Sequence, residues 1–217
     1  MTIQIIVLIT AVISVYALSS RPALEKMMLN PYQVVHHKQY WRVITHGFIH
    51  GDYLHLFFNM YVLWEFGRPI FTIFTNQVAF TQVMDGDDWW GSHLGQNLFL
   101  MMYLGAIFVA SVPALIKHRN NPGYNSLGAS GAVSAMVLIF VLLFPTSTLY
   151  LFFAIPIPAF LAGILFFVYE SYMNKRGGTG VAHDAHLFGA LYGLLFMALI
   201  APSSITGFVG KLMELIN

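Results

Sequence analysis

Leu127-Gly128-Ala129-Ser130-Gly131-Ala132-Val133-Ser134-Ala135-Met136-Val137-Leu138-Ile139-Phe140-Val141-Leu142-Leu143-Phe144 is the stretch whose reading decides the fold. It carries no charge and shows no strict alternation of apolar and polar residues, so it reads as a helix and not as a strand. At about 1.5 Å per residue it covers roughly 27 Å, close to the thickness of a bilayer core. Its first half is built of small residues. Gly128, Gly131, Ala132 and Ala135 leave one face bare, and a second helix can approach closely there.

Five further stretches have the same character: 2–18, 53–74, 98–116, 149–169 and 182–201. Only helices and closed barrels satisfy every backbone polar group inside lipid, and continuous apolar runs select helices. The expected architecture is an all-α membrane protein, a bundle of six transmembrane helices forming a single domain over 1–217. Composition agrees. Of 217 residues, 58% are hydrophobic and 9% charged, against about a quarter charged in soluble domains. The net charge of +1 argues against a basic nucleic-acid face. With no cysteine, disulfides, thiolate metal sites and a thiol nucleophile are excluded together. The first 20 residues lack the basic start of a cleaved signal, so they read as a retained first span.

The connections are uneven. Residues 19–51 are long for a structureless loop, so that segment is expected to fold or to lie in the interface; Tyr32, Tyr40 and Trp41 suit the headgroup level. Asp85-Gly86-Asp87-Asp88 looks like a calcium loop but lacks the closing glutamate, and reads as a solvated turn beside Trp89 and Trp90. The tail 205–217 is amphipathic and reads as a surface helix.

Polar groups inside spans are costly and call for a reason. Three clusters stand out. Gly128-Ala129-Ser130-Gly131 opens a helix, where free N–H groups and a partial positive charge collect. Ser130 is there either a cap in a small-residue seam or a nucleophile with oxyanion donors beside it. In the second cluster, His186, Gly189 and Gly193 share one helical face. Packing that face on the bare face of 127–144 brings His186 towards Ser130, and serine needs such a base. Asp184 lies about 200° around the helix from His186, His183 is not an acid, and no other carboxylate falls in an obvious span beside them. A Ser–His dyad is expected, with Asp184 a helix-start residue. The third cluster is His46, His50, His55 and Asn59. A single metal held by all four is awkward without a thiolate or placed carboxylate. The preferred reading has His55 and Asn59 donating hydrogen bonds into the Ser130 cavity.

Together these residues resemble the rhomboid proteases. The resemblance runs from Trp41-Arg42 through His46-x3-His50-x4-His55-x3-Asn59 and Gly128-Ala129-Ser130-Gly131 to Ala185-His186-x2-Gly189-x3-Gly193. It implies Ser130 as nucleophile and His186 as base, with His55, Asn59 and the Ser130 N–H forming the oxyanion hole. It implies that His50 is a structural hydrogen-bonder, and that Trp41 and Arg42 belong to a membrane-embedded first loop. Two positions depart from patterns seen in some members. Phe71 stands where those have a loop-bracing glutamate, and Ser134 where those have an aromatic ring against the catalytic histidine.

The implied activity is serine endopeptidase cleavage of transmembrane protein substrates within the lipid bilayer, with no cofactor, no metal and no nucleic acid. The expected location is a multi-pass position in a prokaryotic cell membrane. The rival readings are a non-catalytic rhomboid-like client binder and a polar-cavity transporter. The first should lack Ser130 or His186. The second should show paired broken helices in repeated halves, and the sequence shows no such repeat, although Pro156 and Pro158 interrupt the fifth stretch.

Overall fold

In the computed structural model, which describes residues 2–76, 88–151 and 154–215, helix dominates. Helix α1 (Thr2–Ser19) buries Ile3, Ile6, Thr10, Ser14 and Ala17. That spacing of three and four is a single stripe, and it packs on α5 (Tyr53–Asn76). Between them the chain forms α2 (Arg21–Met27), α3 (Pro31–His37), α4 (Arg42–Thr45) and a 3-10 turn, His46–Phe48. The first loop is therefore folded, as its length required. Helices α6 (Asp88–Lys117), α7 (Ser130–Leu143), α8 (Ala159–Arg176), α9 (His183–Ile200) and α10 (Ser203–Met213) follow. Asp85, Gly86 and Asp87 of the expected solvated turn lie outside the described residues.

Three helical segments, Thr2–Ser19, His93–Lys117 and His183–Ile200, are long and apolar enough to cross a membrane, and Ser130–Leu143 is a shorter apolar helix. The other two expected spans carry charge. Helix α5 includes Glu65 and Arg68, and α8 includes Glu170, Lys175 and Arg176.

The fifth stretch departs from expectation. Residues expected to start a helix at 149 form an antiparallel hairpin, β1 (Thr148–Leu151) and β2 (Ile155–Pro158), pairing Tyr150 with Pro156. Pro156 and Pro158 lack the N–H that a helix interior needs, while an edge strand tolerates them. The helix starts only after Pro158 and so runs on to Arg176, beyond the expected end at 169. The tail forms a helix as expected. Its Lys211 Nζ donates to the Leu143 carbonyl at the C-terminal end of α7, at 2.7 Å, where free carbonyls collect.

Among the described residues, helices α7 and α9 share the most extensive contact. Gly189 faces the Gly131 backbone and Gly193 faces Ala135. A Cβ at Gly189 would run into the Gly131 carbonyl oxygen, which is main chain and cannot rotate away. A methyl group is therefore already too large, and Gly189→Ala is expected to destabilise nearly as much as Gly189→Val, by the roughly 1–3 kcal/mol typical of overpacking. Thermal unfolding of both variants in detergent checks this. A wild-type midpoint for Gly189→Ala would show that the helices do not meet here in solution.

Candidate active site

Ser130 is the first residue of α7, and the turn before it is held from three sides. Gly128 adopts φ +116°, in the region that only glycine enters readily. A Cβ there would sit 2.8 Å from the His55 ring. The Gly128 N–H donates to the His46 carbonyl at 2.9 Å. The Ala129 N–H donates to His50 Nε2 at 3.4 Å. Because His50 Nε2 accepts, its Nδ1 carries the proton and donates to Ser14 Oγ at 2.8 Å. Ser14 in turn donates to the Phe48 carbonyl at 3.0 Å. A fully buried imidazole thus ties α1 to the head of α7. Burial pushes His50 down to about 3 and His46 down to about 4, so both rings are neutral at physiological pH.

The opposite wall comes from α9. His186 Nε2 lies 2.7 Å from Ser130 Oγ. The two side chains are 56 residues apart in sequence and meet because the glycine seam lets the helices close. Both line a cavity of about 1130 Å³ together with His46, His55, Asn59, Gly128 and Gly131. Asn59 donates one amide hydrogen to the His55 carbonyl at 2.9 Å. Gly189 and Gly193 stand in the seam behind the cavity. His50 also stands behind it, its ring edge-on to His55 at 4.9 Å.

The first loop is tied to the segment that leads into Ser130. Leu29 and Ser126 exchange both backbone hydrogen bonds at 2.9 Å. Asn30 donates to the Pro122 carbonyl and to Asn125. Arg42, 8% exposed, donates to the carbonyls of Glu25 at 2.7 Å and Met28 at 2.8 Å and to Gln39. Trp41 is half exposed, with its indole N–H on the Lys26 carbonyl. Phe71, at the position of the missing glutamate, packs edge-on against Phe99.

Around His186 the structure corrects the sequence reading. Asp184 does turn to another partner: it pairs with Lys117 at 2.7 Å. A different carboxylate, however, reaches the ring. Glu170 on α8 lies 3.1 Å from His186 Nδ1 through Oε1, and 2.6 Å from His183 Nδ1 through Oε2. The expectation that no carboxylate stands beside His186 is therefore overturned. The apolar stretch 149–169 ends one residue short of Glu170, which α8 includes because it starts only after Pro158 and runs to Arg176. The sequence offers only the pair His183 and His186, three apart and so on one helical face; which acid they meet is set by tertiary packing. Ser134, one turn after Ser130, donates to the Ser130 carbonyl at 2.8 Å. Among the described residues, Glu170, His183 and His186 also form the one group whose ligand atoms cluster closely enough, within 4.8 Å, to hold a metal ion. The cluster around His46 and His50 does not gather in that way.

Comparison with known proteins agrees with this architecture. The family model for the Rhomboid domain matches residues 37–203. "RHOMBOID-like protein 12, mitochondrial" of Arabidopsis thaliana is 34% identical over 152 residues, covering 68% of this chain and 43% of that protein. "Presenilin-associated rhomboid-like protein, mitochondrial" of Homo sapiens is 30% identical over 157 residues, 69% of this chain and 35% of its own length. "Rhomboid protein 1, mitochondrial" of Saccharomyces cerevisiae is 30% identical over 159 residues, 71% of this chain and 40% of its own. The match thus spans less than half of each of these relatives. Their names are mitochondrial, and the prokaryotic cell membrane expected from the sequence finds no support in them.

The neutral His50 and His46 rings make a pH prediction. Their folded values lie below the ordinary 6.5, so the unfolded chain takes up protons first as pH falls. The stability due to neutrality is fully present above about 6.5 and drains away as pH falls towards about 4 and 3. Denaturant titrations from pH 7 to pH 4 should show falling stability with a shallower slope in His50→Gln. At pH 7 the variant should be less stable by about 1–3 kcal/mol if its amide leaves the buried Ala129 N–H unpaired. An unchanged slope would remove His50 from this role.

Proposed function

The chain belongs to the rhomboid family, and from that premise we propose that it is an intramembrane serine endopeptidase. Its substrates in this reading are transmembrane proteins cut within or near their helices. The observation that carries the proposal is the 2.7 Å approach of Ser130 Oγ to His186 Nε2, on the wall of a cavity that His46, His55 and Asn59 also line. Six helices, α1, α5, α6, α7, α8 and α9, form the membrane bundle in this reading, all within a single domain. In α8, Glu170 faces the protein interior and Lys175 and Arg176 stand at the C-terminal end, while Glu65 and Arg68 of α5 are exposed.

In the acylation step, Ser130 Oγ attacks the scissile carbonyl carbon as His186 Nε2 takes the hydroxyl proton. The negative charge moves to the carbonyl oxygen. Donors to it are the Ser130 N–H at the helix start, the second Asn59 amide hydrogen and the His55 ring. Collapse of this intermediate breaks the C–N bond, and His186 gives the proton to the departing amine. Water then repeats the sequence on the acyl-enzyme, regenerating Ser130. An intact substrate helix ties up its carbonyls, so cleavage needs local unwinding. Gly177, Gly178, Thr179 and Gly180 border the cavity, and the three glycines have open space around them. That segment suits a movable cap over the site.

A serine-directed fluorophosphonate should label the purified protein, and Ser130→Ala should abolish labelling. Ser130→Ala and His186→Ala should each abolish cleavage of a transmembrane reporter, with the double variant little worse than either alone, because the two act as a unit. Normal turnover by Ser130→Ala would sink the assignment and favour a client-binding or transport role for the cavity.

A further inference from the structure

We propose that Glu170 is a positioning residue, which fixes the tautomer of His186 and links it through His183 to the cap segment at Thr179. This rests on the reading of Ser130 and His186 as the catalytic pair. Glu170 on α8 is buried, 6% exposed. A carboxylate in that setting is costly unless its oxygens are satisfied. Both are. Oε1 faces His186 Nδ1 at 3.1 Å and Oε2 faces His183 Nδ1 at 2.6 Å. The two histidines stand three apart at the start of α9, which puts both rings on the side facing α8.

An ionised carboxylate only accepts, so each Nδ1 must carry the proton. Each Nε2 of a neutral ring is then an acceptor. For His186 that acceptor receives the Ser130 hydroxyl, the arrangement a general base requires. For His183 it receives the Thr179 hydroxyl at 3.0 Å. The resulting chain of hydrogen bonds runs Ser130, His186, Glu170, His183, Thr179, each with a single consistent direction. When His186 takes the Ser130 proton it becomes a cation, and the buried carboxylate 3.1 Å away stabilises that charge more strongly than it would in open water. Gly177, Gly178 and Gly180 all adopt positive φ, and a Cβ built on any of them would meet nothing within 4 Å. The Thr179 hydroxyl is therefore a tether between the cap and the catalytic network. Its other contacts, with the Val181 carbonyl at 3.4 Å and the Val181 N–H at 3.2 Å, stay within the segment. The same three residues match zinc donors, but a cation there would displace both Nδ1 protons from the carboxylate.

The test uses the full chain in detergent, with two independent readouts. In protein labelled with 15N-histidine, wild-type His186 should appear at neutral pH as the Nδ1–H tautomer with an unprotonated Nε2, identified by loss of its signals in His186→Ala. Finding Nε2–H instead would overturn the proposal whether or not the protein cleaves the reporter. In Glu170→Gln the amide can accept from only one ring, so the Nδ1–H tautomer should lose its dominance. Reporter kcat should fall on the order of 10²-fold or more with KM within about 2-fold, and Glu170→Asp should recover part of the loss. Equal kcat in wild type and a folded Glu170→Gln would overturn the role. So would zinc bound stoichiometrically by purified wild type and lost in Glu170→Gln, which would make the cluster a metal site. Activity in Ser130→Ala would instead sink the protease reading, and the tautomer measurement would still judge the network.

Discussion

The site depends on two backbones coming together with no side chain between them. Gly131 on α7 and Gly189 on α9 meet main chain to main chain, which sets the helices closer than any Cβ would permit. Ser130 stands next to Gly131, and His186 one turn before Gly189. Their hydrogen bond is thus a consequence of the seam. In lipid the helices gain little by hiding apolar surface from water, so close van der Waals contact must hold them. One surface thereby supplies both the cohesion of the bundle and the alignment of the candidate catalytic pair. The gap leaves no room for repacking, since the obstructing atoms are backbone.

The head of α7 also has to be fixed along its own axis, and that task falls to buried polar groups. His50 spans from Ser14 to the Ala129 N–H, so the apolar first helix positions the turn before Ser130. Arg42 collects carbonyls at the end of α2, and the Leu29–Ser126 pairing joins the first loop to the Ser130 approach. Phe71 packs in an aromatic cluster, so the loop is braced here by an arginine and main-chain pairing, without the glutamate that some family members place at that position.

Much of this was legible in the sequence, for identifiable reasons. Long apolar runs fix helices because lipid permits little else, and α1, α5 and α9 begin and end within a few residues of where hydropathy puts them. The glycine spacing in 185–193 and the small residues of 128–135 announce a close seam. The hairpin at Thr148–Pro158 was missed because hydropathy cannot distinguish an apolar strand from a buried helix, although the alternating prolines carried the information. Glu170 falls outside the apolar stretch 149–169 because the prolines delay the helix, which then runs to Arg176. Its contact with His186 is a tertiary fact, set by how α8 leans on α9, and no local pattern encodes it.

The absence of an aromatic ring at Ser134 and the presence of Glu170 belong to one argument. A catalytic imidazole must be held in one orientation and one tautomer. A ring stacked against it restrains orientation alone, since an aromatic face accepts no strong hydrogen bond. A carboxylate on Nδ1 restrains both, because the lone pair it uses dictates which nitrogen is protonated. Its charge is expensive where it is buried, and here that cost is offset by occupying both oxygens with histidines. The second histidine is then required by the first: Oε2 left unpaired in this interior would forfeit the stabilisation that makes a buried acid tolerable. His183, which is no acid, follows from the choice of a carboxylate as the holder of His186.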